Sequence, residues 1–143
     1  MNKEDILFDN NKEKEATERV LAVIRVKTLV KEIDLLVSEL IGYASNIDKI
    51  LERNGIEKRY LGKVSAIDNL SLIYLDPDLE NADFRVKELV DDLIKRINTR
   101  ISLVKNNEEL IKELKETYEI NEENMESDID LARLNLRDFV GAW

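Results

Sequence analysis

The stretch ERVLAVIRVKTLVKEIDLLVSELIGYASNIDKILERNG, residues 18–55, decides the fold. Apolar residues recur in a 4-3 pattern through Val23, Val26, Val30, Ile33, Val37, Leu40, Ala44, Ile47 and Leu51. That period belongs to a helix and not to a strand, whose side chains alternate every second residue. With Val30 at heptad position a and Ile33 at d, the g positions are Leu29, Leu36, Tyr43 and Ile50, all apolar. The b and c positions are Lys31, Glu32, Ser38, Glu39, Ser45, Asn46, Glu52 and Arg53, all polar. A stripe covering a, d and g is wider than a two-stranded seam requires, and it predicts a helix with at least two neighbours.

Outward from this stretch, Asn10 and Glu13 have the spacing of a capping box, and Gly55 is a left-handed stop. The first helix is therefore expected over about 11–54. Such a helix spans about 65 Å, against a diameter near ~37 Å for a compact chain of this size. Either it breaks, with Gly42 the natural place, or the molecule is elongated, and the unbroken 4-3 pattern favours elongation.

Residues 56–78 read as irregular or as a short helix, with a small hairpin near 63–75 as the alternative. Asp76-Pro77-Asp78 is the strong breaker and should open the next helix, since proline suits a first turn. A second long helix is expected over about 79–105, from the repeat Val86, Val90, Leu93, Ile97 and Val104. It ends at Asn106-Asn107 or continues through Leu110, Ile111 and Leu114 to 118. A last helix is expected over about 122–140, carrying Met125, Ile129, Ala132, Leu136 and Phe139. The reading is one all-α domain over 1–143, an elongated, coiled-coil-like bundle of two long helices plus shorter ones.

Composition removes many functions. The 143 residues include no histidine and no cysteine, so thiolate and imidazole zinc ligands, Ser–His and Cys–His hydrolases and disulfides are excluded. Four isolated glycines leave no phosphate-cradling loop,. A carboxylate centre for Mg²⁺ or Mn²⁺ stays open, because two acids at i, i+3 aim at one ion. Glu15/Glu18, Glu113/Glu116, Glu123/Glu126 and Glu88/Asp91 have suitable spacing. With 31 acids in the chain such pairs arise by chance, so an all-α nucleotide phosphohydrolase is the catalytic alternative, and no catalytic residue, metal ligand or cofactor is assigned.

Charge is unevenly spread. The formal net charge is −9, and residues 106–143 carry 11 acids against 4 bases. Glu109, Glu113, Glu116, Glu119, Glu122, Glu123, Glu126, Asp128 and Asp130 are candidate partner-binding residues, together with Phe139 and the terminal Trp143. The basic cluster Lys95, Arg96 and Arg100 has Asp91 and Asp92 four residues before its first two members, the favourable order for ion pairs within a helix. Direct nucleic-acid binding is therefore not expected. Arg100 falls at a d-like position, where a polar residue can fix register or partner choice.

The functional expectation is a non-catalytic protein–protein interaction module that self-associates, a dimer being favoured, through the stripe Val30, Ile33, Val37, Leu40, Ala44, Ile47 and Leu51. It would bind another protein through its apolar stripes and its acidic C-terminal segment. The alternative is an acidic inhibitor, of the phage or plasmid anti-defence type, that occludes a nucleic-acid-binding groove. No membrane span is expected, and Ile6-Leu7-Phe8 is too short for a signal-peptide core. A cytoplasmic setting is the default expectation, and the Lys, Ile, Asn and Glu bias suits an A/T-rich bacterial or phage genome.

Overall fold

The computed structural model describes residues 3–65 and 71–120, with side chains from residue 12 onward. These residues are all-α: helices α1 (Lys3–Arg53), α2 (Tyr60–Val64) and α3 (Phe84–Thr117), with a 3-10 turn at Pro77–Asn81. No strand occurs among the described residues. None of their helices is long and apolar enough to cross a membrane.

Helix α1 starts at Lys3, so Asn10 lies inside it and is not its cap. It passes through Gly42 unbroken, since a single glycine costs a helix only about 1 kcal/mol and the apolar pattern continues on both sides. It stops at Gly55, whose φ of +69° suits a residue without Cβ,. The Ile56 N–H reaches Leu51 C=O at 2.8 Å and the Gly55 N–H reaches Glu52 C=O at 3.1 Å. This paired closure satisfies the last carbonyls and folds Ile56 back onto the core,.

The region after it departs from the hairpin alternative. Lys63 and Val64 belong to α2, and residues 71–75 form no strand. The middle of that anticipated hairpin, residues 66–70, lies outside the described residues. Pro77 opens only the 3-10 turn, and the long helix begins later, at Phe84. Asp83 sets that start: its carboxylate accepts the Arg85 N–H at 2.9 Å and its carbonyl takes the Lys87 N–H at 3.0 Å, as an N-cap does. Asn106 and Asn107 do not end α3, which runs to Thr117. The anticipated helix over 122–140 lies outside the described residues.

The chain divides into two compact units, Met1–Val30 with Glu108–Trp143, and Lys31–Asn107. In the second unit one core joins Leu40, Ala44, Ile47 and Leu51 of α1 to Val86, Val90, Ile94, Ile97 and Ile101 of α3. Tyr60, Val64, Ile73 and Leu79 from the connecting region close it. In this unit Leu36 is buried while its neighbour Val37 is only half-buried. Further along, Ala44 and Leu51 at heptad position a are fully buried while Tyr43 and Ile50 at g are half-buried. Burial thus passes from g to a, the sense of the drift of about 20° per heptad that a 3.6-residue helix shows against a 3.5-residue repeat. In the first unit the buried α1 residues among the described side chains are Ala16, Ala22, Val23, Val26 and Leu29. A small cavity of about 210 Å³ there is lined by Leu21, Ala22, Leu114 and Tyr118, with Glu18 and Arg25 at its polar side.

Candidate functional site

The densest polar construction lies in the second unit, around α2. Five residues are too few to hold a helix by backbone bonding alone, and Arg59, at the cap position, offers no side-chain cap. The cap comes instead from α1. Asp48, buried, accepts the backbone N–H groups of Arg59 at 3.0 Å and Tyr60 at 2.9 Å on Oδ1, and of Leu61 at 3.0 Å on Oδ2. Three otherwise orphaned donors thus converge on one carboxylate.

Helix α2 then fixes the run that follows it. The Tyr60 hydroxyl accepts the Asp76 N–H at 3.1 Å and lies 3.5 Å from Tyr74 C=O. Arg59 pairs with Asp76 at 3.3 Å and with Asp78 at 2.7 Å, and Lys63 also pairs with Asp76. Burial raises the Tyr60 phenol above its ordinary pKa. The hydrogen bond from Arg59 holds the Asp78 carboxyl below its ordinary range. From the other side, the Asn98 amide on α3 grips Ile73: Oδ1 accepts the Ile73 N–H at 2.9 Å, and Nδ2 donates to the Ile73 C=O at 2.8 Å. An open groove of about 560 Å³ runs along residues 71–77 beside Lys63.

Arg100 bridges the two long helices within this unit. Its Nε donates to Glu39 at 2.8 Å, its Nη1 donates to Arg96 C=O at 3.0 Å, and its guanidinium lies 4.7 Å from the Tyr43 ring centre. Arg96 lies at 5.9 Å from the same ring. The ion pairs anticipated within α3 are present, Asp91 with Lys95 at 3.7 Å and Asp92 with Arg96 at 3.3 Å. No protein-family model, curated protein or solved structure matches this chain.

The residues singled out from the sequence are scattered by the fold. Of the self-association stripe, Leu40, Ala44, Ile47 and Leu51 are buried in the core of the second unit. Ile33 and Val37 are half-buried, and Val30 is exposed. Glu109, Glu113, Glu116 and Glu119 are exposed on or just after the last turns of α3. Glu122, Glu123, Glu126, Asp128, Asp130, Phe139 and Trp143 lie outside the described residues. Glu15/Glu18, Glu88/Asp91 and Glu113/Glu116 are each separate pairs, and no three metal-ligating side chains converge among the described residues.

Asp48, Tyr60 and Asn98 were not singled out. Asp48 carried one faint signal, a carboxylate on the helix face occupied by Ala44, Ile47 and Leu51. Asn98 likewise follows Ile94 by one turn, on the flank of a buried stripe.

Proposed function

We propose that this protein is a non-catalytic helical interaction module that self-associates, a dimer being favoured, and binds another protein. The observation that supports it most is on α3. Leu89 and Leu103, two heptads apart and therefore on one face, are 55% and 44% exposed. Intramolecular packing uses the adjoining face, through Val90, Ile94, Ile97, Ile101 and Val104. Leucines left in water at helical spacing gain about 25 cal/mol for each Å² that a neighbour covers. Leu21 and Ile24, one turn apart on α1 in the first unit, are exposed in the same way.

The exposed carboxylates of Glu109, Glu113 and Glu116 supply charge for steering and partner choice. They repeat at i, i+4 and i+7, so they share a face of α3,. Assigning the acidic segment and the Phe139–Trp143 terminus to a partner, and the protein to the cytoplasm, belongs to the same proposal. The test is sedimentation velocity across a dilution series from about 1 to 200 µM, where a sedimentation coefficient that rises with concentration supports the reading. A single monomeric species throughout the series rejects self-association.

A further inference from the structure

The run from Ser71 to Asp76 has neither helical nor strand pairing, yet its backbone is held from two sides. Ile73 gives both its N–H and its C=O to Asn98. A residue presents both groups to one side when its backbone is extended, and the residues on either side of it then face the other way. They do so here: Tyr74 C=O and Asp76 N–H meet the Tyr60 hydroxyl. The arrangement is that of a strand in which side chains stand in for neighbouring strands.

On the edge that carries Tyr74 C=O and Asp76 N–H, three backbone groups have no hydrogen-bond partner among the described residues: the N–H and C=O of Leu72, and the Tyr74 N–H. They have the spacing a strand needs. An antiparallel neighbour would use both groups of Leu72, and a parallel one would use Leu72 C=O with Tyr74 N–H. The groove of about 560 Å³ follows this run beside Lys63. The exposed large apolar side chains of the run are Leu72 and Tyr74, the latter 73% accessible.

We propose that this groove binds an extended peptide of another protein, which adds as a strand to the Leu72–Tyr74 edge. Helical partners are disfavoured because a helix spends its own backbone groups internally and has none to give. The peptide chemistry follows from the lining. Lys63 and Asp76 neutralise one another, so the groove makes no net charge demand, while Leu72 and Tyr74 favour alternating apolar side chains. The inference rests on the reading of the protein as a binding module and gives that module a defined partner chemistry.

The test uses the full chain and a phage-displayed library of linear octapeptides. Peptides should enrich on the wild type, alternate apolar with polar residues, and bind the L72P/Y74P variant at least 10-fold more weakly, since proline removes both outward N–H groups. A second measurement needs no variant: on addition of an enriched peptide to the wild type, the Leu72 and Tyr74 amide resonances should shift most. Peptides that bind the proline variant equally, or that leave those two amides unmoved, overturn the proposal. So does a result in which the best competitor is the chain's own peptide Ser-Leu-Ile-Tyr-Leu-Asp and the prolines dissociate a dimer, because the occupant is then a second copy. If no peptide enriches while sedimentation still shows self-association, the groove proposal falls and the module reading stands.

Discussion

The Asp48 carboxylate accepts the Tyr60 backbone N–H at 2.9 Å across an interval of 12 residues, with Tyr60 fully buried at the other end. One acid on α1 thereby caps α2, and α2 in turn places Tyr60 and Arg59 against the 71–78 run. The polar construction beside the groove is a chain of dependencies that begins at this carboxylate.

Asp48→Ala should accordingly be among the costliest substitutions in the molecule. It leaves three N–H donors without their acceptor, and unsatisfied buried groups cost about 1–3 kcal/mol each. A loss of about 3 kcal/mol is expected from urea unfolding. Asp48→Asn, which keeps one oxygen acceptor, should lose less.

Asn98→Ala should act more locally. It removes two hydrogen bonds to Ile73, worth about 0.5–1.5 kcal/mol each. Hydrogen exchange at the Ile73 amide should accelerate about 10-fold or more, while amides in the middle of α1 keep their protection. The variant should also weaken any peptide bound along the run.

The two pKa shifts predict opposite limbs of the stability–pH profile. Tyr60 binds its proton more tightly in the folded state than in the unfolded chain. Its contribution is full below the unfolded value near ~10 and is lost as the pH rises from there through the folded value. Tyr60→Phe should flatten this alkaline limb relative to wild type. Asp78 is the reverse case, held below its ordinary value by Arg59. Its contribution is present above about pH 4 and disappears as the pH falls through the folded value, so Asp78→Asn should flatten the acid limb.

Arg100→Glu should set two acids together beside Glu39 and remove the stack on Tyr43. An expected loss of about 1–2 kcal/mol reflects a partly exposed pair. Adding Glu39→Arg should recover part of it, and a double-mutant cycle on chemical unfolding measures the coupling.

The sequence made the two long helices legible because their 4-3 repeats are long and polar residues fill their outer faces. The Gly55 stop was equally legible, since a glycine at the end of such a stripe meets a specific backbone need. The start of α3 was misplaced by several residues because Pro77 outweighed Asp83, although only Asp83 caps a helix that lasts. The candidate groove was not legible at all. It depends on Asp48 meeting Tyr60 and on Asn98 meeting Ile73, contacts 12 and 25 residues apart that no local period encodes. The α1 stripe is covered only in part, with Val30 exposed and Ile33 and Val37 half-buried, because period alone does not say which of its members α3 covers. Leu40 to Leu51 proved to be internal core, and exposed leucines appeared on the edge of α3.

That edge carries the central claim. The most direct measurement compares sedimentation of the wild type with that of the L89E/L103E variant over the same concentrations, with circular dichroism confirming equal helix content. Both leucines are exposed, so folding should change little, and surface substitutions of this kind usually stay within about 0.5 kcal/mol. The account predicts that the wild type associates as concentration rises and that the variant remains monomeric. A variant that associates as strongly as the wild type, or a wild type that is monomeric at every concentration, would contradict it.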